Sequence, residues 1–391
     1  GVVMDITSAK EKAKRTVEAA KDRLVEISLD IHQHPELALQ EHRAAKLLAD
    51  RLESFGFRVE RSAYGIETAF KGTWGEGPLT IAYLLEYDAL PEIGHACGHN
   101  LIATAGLGGA IGAKAALDPS QVTVIALGSP AEEDIGGKVM LIEAGAFEGV
   151  DVAMMAHPIA VDIADPPMFG VEQVTVTYRG RGAHAAVAPE TAINALDGLV
   201  VAYQAAAQLR QHIRRDSRLA GVILYGGAAS NIIPDRAVGR FEVRSLQPAY
   251  LADLKKRLIA CLEAGAQASG ASVEMEWTTT YEPMNNNAPL AAAYKENAES
   301  LGRSFLPIKP ESTGSTDMGN VSWVVPSIHP TFQVGQFAMN HTADFTAVAA
   351  TDAAHGHMVQ VGQSLAMTGI DVALQPGLLD EIKRAFGGSA R

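Results

Sequence analysis

The sequence predicts an α/β protein: a larger domain with a mostly parallel sheet flanked by helices, interrupted by a smaller α+β domain. A chain of 391 residues exceeds what one ordinary core accommodates, so two domains are expected. In the first part of the chain, fully apolar strand segments alternate with helical segments, which is typical of a parallel sheet. After about residue 170 the strands alternate apolar and polar residues, as half-exposed antiparallel strands do.

The first 170 residues are expected to contribute the following elements to the larger domain. Ser8 and Glu11 have the spacing of a capping box, which predicts a helix from there to about Leu29. A second amphipathic helix is expected over about 40–54, before a strand at FRVERS. The apolar segments LTIAYLLEY, VTVIALG and VDVAMMAH predict three buried strands. The small apolar residues of 101–117 predict a buried helix, and GGKVMLIEAG predicts a short helix that a glycine ends.

The smaller domain is expected over residues 171–283, which leaves 1–170 and 284–391 as one discontinuous domain. Its segments predict a ferredoxin-like β-α-β-β-α-β arrangement of a size that suits an inserted domain. The segments are the strands VEQVTVTYRG, RAVGRFEVRS and ASVEMEW and the helices near 191–213 and 249–269. Beyond them, helices near 289–301 and 346–367 surround the strand IHPTFQV, so the α/β pattern returns.

The charge of the chain indicates which classes of partner the protein can bind. The formal net charge is -13, from 45 acidic and 32 basic residues, and no long basic run occurs. We therefore expect no nucleic-acid and no membrane partner, and a small cationic or zwitterionic ligand fits better. The N-terminal segment lacks an apolar core of signal-peptide length, and no 18-residue apolar stretch follows. A cytoplasmic protein is therefore expected.

Chemically active side chains follow the three apolar strands. In open α/β sheets, ligands bind beyond the carboxyl ends of the strands. The residues that follow these strands are Asp88, Cys97 and His99 in the segment EYDALPEIGHACGHN, Glu132 and Glu133 in GSPAEED, and His157 in AHP. If the three strands are neighbours, thiolate, imidazole and carboxylate groups meet in one crevice.

This set of groups suits a divalent metal of the zinc type. Cys97 and His99 are two residues apart, so in an extended segment they project to the same face. Of the adjacent glutamates, one can coordinate metal while the other takes a proton from water. Each residue alone also allows a plainer interpretation, as a buried cysteine, a structural histidine or a solvated glutamate pair. For His95, a structural role and a role in supporting a ligand both stay open.

The motifs resemble a known family. EYDALPEIGHACGHN, GSPAEED, AHP, GAHAAVAPETAINALD, NIIPDRAVGRFEVRS and NHTADF are similar, in order, to segments of zinc-dependent amidohydrolases. That metallopeptidase family includes aminoacylases, hippurate hydrolases, indole-acetyl-amino-acid hydrolases and p-aminobenzoyl-glutamate hydrolase. The resemblance implies a catalytic domain with two divalent metal ions per subunit, zinc first and manganese or cobalt as alternatives. It also implies an inserted dimerisation or lid domain and a homodimer.

The resemblance assigns a ligand to each of five positions. Cys97 would bridge the two ions as a thiolate, and His99, Glu133, His157 and His341 would complete the ligands.

The resemblance also implies the remaining site residues. Glu132 would be general base and acid, and Asp88 would orient a ligand. Asn231 and Arg244 would hold the substrate carboxylate, and His184 would polarise the scissile carbonyl. A plainer interpretation of Arg244 is an ion pair on a surface strand, and of His184 a turn histidine.

The sequence departs from the commonest family pattern at three places. That pattern has Asp where Glu86 and Asn100 stand, and a Ser-Glu-Asp run where Ser315, Thr316 and Asp317 stand. These variants resemble the branch whose members cleave β-alanyl-lysine-type dipeptides.

The expected function is metal-dependent cleavage of an amide bond in a small dipeptide or N-acyl amino acid with a free carboxylate. One alternative is a thiol-dependent amidase with Cys97 as the nucleophile. A non-enzymatic metal-binding or partner-binding pseudoenzyme is the other alternative.

Overall fold

The computed structural model describes residues 5–388. This part of the chain forms two compact units, each with its own hydrophobic core. The first unit comprises 5–167, 285–310 and 317–388, and the second comprises 168–284 and 311–316.

The first unit contains ten helices and eight strands among its described residues. Its helices are α1 Ile6–Ala19, α2 Lys21–Gln33, α3 His42–Ser54, α4 His99–Ala116, α5 Gly137–Glu143, then, beyond the second unit, α8 Ala288–Ser300, α9 Met318–Ser322, α10 Ala343–Val348, α11 Asp352–Leu374 and α12 Leu378–Gly387. Its strands are β1 Arg58–Arg61, β2 Phe70–Trp74, β3 Leu79–Glu86, β4 Val122–Ser129, β5 Val152–Met154, β6 His157–Ile159, β11 Ser327–Ile328 and β12 Thr331–Gln333.

The main sheet of this unit has the strand order β1-β2-β4-β3-β5-β11. The strands β4, β3, β5 and β11 are parallel, and β1 and β2 are antiparallel additions at one edge. The predicted α/β class with a mostly parallel sheet is therefore confirmed. Because β3 lies between β4 and β5, the three apolar strands are neighbours, and their carboxyl ends share one edge of the sheet.

Helix α4 is buried along almost its whole length because its residues are small. It packs against α11 and against β3. A Cβ atom on Gly112 would lie 2.6 Å from the Cβ of Ala366, and one on Gly109 would lie 2.9 Å from the ring of Tyr83. Glycine at these positions therefore permits the close approach of α11 and the sheet to α4.

The second unit is the predicted ferredoxin-like arrangement. Its elements are β7 Gly170–Arg179, α6 Ala195–Leu209, β8 Ser217–Tyr225, β9 Arg236–Ser245, α7 Pro248–Ser269 and β10 Ser272–Trp277. The sheet is antiparallel with the order β10-β7-β9-β8. Helices α6 and α7 pack on one face of this sheet, and together they form the hydrophobic core of the unit. Strand β8 lies at an edge, and its last residues, Val222 to Tyr225, are exposed apolar side chains.

Several predicted boundaries differ from the structure. The single helix from Ser8 to about Leu29 is two helices, α1 and α2, which meet at Ala20. The cap of α1 is Asp5, whose Oδ1 accepts from the backbone N–H of Ser8 at 2.8 Å, so the capping box was wrong. Helix α12 was not predicted. Within residues 5–388, every helix is too short or too polar to cross a membrane.

Candidate metal centre

The segment between β3 and α4 places Cys97 and His99 at the edge where β3, β4 and β5 end. Gly98 has a left-handed φ of 69° and precedes His99, the first residue of α4. A Cβ atom on Gly98 would lie 2.6 Å from Cγ of Pro158, so only glycine fits this approach. The expectation of an extended segment was therefore wrong, because a helix begins between the two side chains. The two side chains nevertheless share one group of donor atoms.

Cys97, His99 and His157 form the first group, in which all three donor atoms lie within 4.8 Å of one another. The Sγ of Cys97 is 3.4 Å from Nε2 of His157. Nδ1 of His157 is 2.9 Å from the carbonyl oxygen of Pro158. Since a carbonyl oxygen only accepts, Nδ1 donates there and Nε2 keeps its lone pair for the shared space. Burial lowers the pKa of His157 to about 4, so the ring is neutral.

A second group also uses Cys97, together with Glu133 and His341. Nε2 of His341 is 3.5 Å from Oε2 of Glu133, whose other oxygen is 3.3 Å from Nε2 of His99. His341 has a left-handed φ of 64°, and its backbone N–H donates to the carbonyl oxygen of Ala96 at 2.9 Å. That backbone bond ties the segment of His341 to the segment of Cys97. The Cys97 sulfur therefore belongs to two donor groups at once, which is the placement expected of a bridging ligand.

Asp88 connects two of the strand ends. Its Oδ1 accepts from Nδ1 of His99 at 2.9 Å, and its Oδ2 accepts from the backbone N–H of Glu133 at 3.0 Å. A carboxylate behind an imidazole fixes the tautomer that leaves Nε2 to a metal ion. Asp88 thus has the contacts of the orienting residue that the family resemblance implied.

The electrostatics of the two groups fit a cation. Nε2 of His99 and Oε1 of Glu133 are buried and have no hydrogen-bond partner among the described residues. Burial alone would lower the pKa of His99, but the neighbouring Asp88 outweighs burial and raises that pKa well above its ordinary value. A positive charge at Nε2 therefore balances the carboxylates, and a bound metal ion can take the place of the proton. The donor set of sulfur, imidazole and carboxylate is one that zinc prefers.

The adjacent glutamates differ in their surroundings. The pKa of Glu132 is raised well above its ordinary value, mainly by burial and secondly by the negative charge of Glu133. Burial would also raise the pKa of Glu133, but the adjacent rings of His341 and His99 outweigh burial and lower that pKa well below its ordinary value. The left-handed turn at Ala131, with a φ of 59°, precedes the pair. Glu132 lies outside both groups that contain Cys97, and its Oε2 is 3.7 Å from Nε2 of His99.

Four buried residues beside this centre were not predicted as part of it. Glu86, at the end of β3, and Asp317 both contact the Nζ of Lys138, and all three side chains are fully buried. The departure at Glu86 and the one at Thr316, next to Asp317, were the only sequence signals for this cluster. His329 is the fourth, and its buried ring packs at 5.5 Å from that of His157.

The remaining predicted site residues lie in the second unit. The segments of His184 and Asn231 are neighbours, because the backbone N–H of Ala185 donates to the carbonyl oxygen of Asn231 at 2.9 Å. Both side chains are exposed. Arg244, on β9, donates through Nε to Glu242 at 3.0 Å and through Nη1 to Ser315 at 2.9 Å. The ion pair considered as the plainer interpretation of Arg244 is thus present.

Comparisons with known proteins agree with these observations. The chain matches Peptidase family M20/M25/M40 over residues 85–361. The Xaa-Arg dipeptidase of Mus musculus is 41% identical, with 96% of this chain and 92% of that protein covered. One of the subunits of the p-aminobenzoyl-glutamate hydrolase of Escherichia coli is 27% identical, with 94% and 92% covered.

Solved structures share the fold. A dinuclear metal-binding M20 peptidase from Bacillus subtilis has a TM-score of 0.72 and 20% identity, with 91% of this chain and 99% of that chain covered. An aminobenzoyl-glutamate utilization protein from Klebsiella pneumoniae has a TM-score of 0.65 and 18% identity, with 92% and 97% covered. The family that the motifs resembled is confirmed: the chain belongs to peptidase family M20/M25/M40 and is a metal-dependent hydrolase.

Proposed function

We propose that the protein is a two-zinc dipeptidase that cleaves dipeptides with a cationic C-terminal residue and a free carboxylate. The observation that carries this proposal is the Cys97 sulfur shared by two donor groups beside the carboxylate of Glu132. The 41% identity to an Xaa-Arg dipeptidase supports the cationic residue, and a net charge of -13 favours cationic substrates. Both cysteines are free, which suits the reducing cytoplasm that we propose as the compartment.

In this mechanism the metal ions would be held by Cys97, His99, Glu133, His157 and His341. When bound, the ions supply Lewis-acid activation of the scissile carbonyl and of the attacking water.

Glu132 is the residue that transfers protons in this mechanism. Its carboxylate takes a proton from the attacking water and then gives it to the leaving amine. Asp88 keeps the proton of His99 on Nδ1 throughout, as the 2.9 Å contact requires. Glu132 is suited to this role because it is outside the two groups that share the sulfur and is almost fully buried, away from bulk water.

His184 is suited to donate to the oxygen of the scissile carbonyl. Its Nδ1 accepts from the backbone N–H of Ala186 at 3.2 Å, so the neutral ring carries its proton on Nε2. That donor is exposed and can meet developing negative charge on the carbonyl oxygen. We assign the substrate carboxylate to Asn231 and Arg244.

We further propose that the protein is a homodimer that pairs through the second unit. Strand β8 lies at a sheet edge, where backbone N–H and C=O groups lack a neighbouring strand, and its exposed residues Val222 to Tyr225 are apolar. A long apolar edge strand favours pairing with another strand. The two exposed valines of α6, Val200 and Val201, add apolar surface to the same unit. A second copy of the chain supplies an identical strand, as two-fold symmetry requires.

The proposed substrate is tested with a panel of dipeptides. After chelation and reloading with zinc, manganese or cobalt, we expect hydrolysis of Xaa-Arg and β-alanyl-lysine dipeptides. Xaa-citrulline is the matched neutral control, and we expect it to react at least tenfold more slowly. N-acyl amino acids and p-aminobenzoyl-glutamate complete the panel. Equal rates for arginine and citrulline would contradict the cationic preference. Full activity after chelation would favour the thiol-dependent amidase.

The dimer and the role of His184 are tested together by mixing two inactive variants. His184→Ala and Glu132→Gln should each be nearly inactive while binding metal. If His184 completes the site of the partner copy, a mixed dimer has one site with both lesions and one with neither. Random mixing makes half of the dimers mixed, so co-expression should restore about a quarter of wild-type activity, given two-fold symmetry. Heterodimers that are isolated and remain inactive would contradict action across the interface.

A further inference from the structure

The cluster of Glu86, Lys138 and Asp317 lies beside the metal centre and takes no part in the mechanism above. The Nζ of Lys138 contacts Oε1 of Glu86 and lies 2.9 Å from Oδ1 of Asp317. The backbone N–H of Lys138 also donates to Oδ2 of Asp317, at 3.0 Å. All three side chains have no solvent exposure. Because buried charges lose their hydration, a cluster of this kind persists only with close partners.

The chain places Lys138 there through two glycines. Gly136 has a left-handed φ of 75° and is followed by Gly137, the first residue of α5. A Cβ atom on Gly137 would lie 1.7 Å from the carbonyl oxygen of Pro130. Any larger residue would therefore separate α5 from the segment that carries Glu132. The second residue of α5 is Lys138, so this contact brings its charge to the end of β3.

One carboxylate oxygen of Glu86 contacts Lys138, and the other lies near His99 in the metal centre. Its Oε2 lies 3.5 Å from Nε2 of His99 and has no hydrogen-bond partner among the described residues. Glu86, His99 and Glu132 form a third group whose donor atoms lie within 4.8 Å of one another. Two ligands of one tetrahedral zinc ion, each at about 2.0–2.1 Å, are roughly 3.4 Å apart. The position of Oε2 therefore matches that of a further donor to an ion on His99.

We propose that Lys138 is a positioning residue that holds Glu86 as an additional oxygen donor to the metal ion on His99. The inference rests on the proposed function, since it needs that ion. Lys138 acts through Glu86 more than through Asp317. Without the lysine side chain, Asp317 keeps its bond to the backbone N–H of residue 138, whereas Glu86 loses its hydrogen-bond donor. Hydrogen-bonded partners behind a ligand commonly determine its orientation and its affinity for metal.

The test is a zinc titration in competition with a chromophoric chelator, which needs no substrate. Lys138→Met and Glu86→Gln should each weaken one of the two zinc sites by about 10–100-fold and leave the other unchanged. The double variant should bind zinc no more weakly than Glu86→Gln, because the lysine acts through that carboxylate. The inference would be overturned if folded Lys138→Met protein bound both zinc ions with unchanged affinity. It would also be overturned if the losses of zinc affinity in the two single variants multiplied in the double variant.

Arg303→Met is the matched control for loss of a buried cation. Arg303 is almost as buried, its Nε donates to Asp162 at 2.7 Å, and neither residue belongs to a candidate metal group among the described residues. This variant should lower the melting temperature and leave both zinc affinities unchanged. If Lys138→Met fails to fold, Glu86→Gln decides the question, because Lys138 then still contacts Asp317. Wild-type protein that binds no zinc would contradict the proposed function itself, which separates that failure from failure of this inference.

Discussion

Glu132→Gln is expected to lower kcat by about 10²–10⁴-fold while both metal ions stay bound. The amide has nearly the shape of the carboxylate but cannot take a proton from water. Metal binding should persist because the two groups that share the Cys97 sulfur do not include Glu132, and the third group keeps His99 and Glu86. The measurements are kcat with an Xaa-Arg dipeptide and metal content by elemental analysis. Full activity in this variant would mean that another group transfers the proton.

Glu133→Gln is the matched control, since the same substitution is made one residue along the chain. Glu133 lies 3.3 Å from Nε2 of His99 and 3.5 Å from Nε2 of His341, so its loss should weaken metal binding directly. Excess metal should restore part of the activity of Glu133→Gln and none of the activity of Glu132→Gln. If the two variants exchanged these behaviours, the two assignments would be reversed.

Cys97→Ala is expected to remove both metal ions and, with them, the activity. The sulfur belongs to two of the three donor groups, so neither of those two keeps three protein ligands without it. Elemental analysis after loading and dialysis should give two ions per subunit for wild type and less than one for the variant. An active protein without stoichiometric metal would refute the metal mechanism.

The control for this variant is the other cysteine. Cys261 lies on α7 in the second unit, is partly buried, and belongs to none of the three candidate metal groups among the described residues. Cys261→Ala should therefore keep both ions and full activity. The same loss in both cysteine variants would point to thiol damage during purification and not to ligation.

Much of the centre was predictable because its residues follow apolar strands. LTIAYLLEY, VTVIALG and VDVAMMAH are recognisable as buried strands, and parallel neighbours bring their carboxyl ends to one edge. That rule brought Asp88, Glu133 and His157 together without knowledge of their distances. His341 follows none of these strands, and its assignment depended on the family resemblance.

The cluster around Lys138 was not predictable for a physical reason. Glu86 and Asp317 lie 52 and 179 residues away from it in the chain, and no local pattern connects such distant charges. Lysine near the start of a helix usually extends into solvent. The left-handed conformation of Gly98 was missed in the same way, because the residue immediately before a helix has no distinct pattern of hydrophobicity. A Cβ atom on Gly98 would meet Pro158, and no local sequence pattern shows that close approach.

The close contact of α4 with α11 has a consequence for synthesis of the chain on the ribosome. Helix α4 ends at Ala116, but α11 begins only at Asp352, beyond the whole second unit. At about 5–20 residues per second, α4 is without this partner for roughly 10–50 s. The second unit has all of its helices and strands in one continuous segment and can fold during that interval. The first unit is then the later of the two to fold, and the face of α4 that packs on α11 stays exposed to aggregation until α11 has been made.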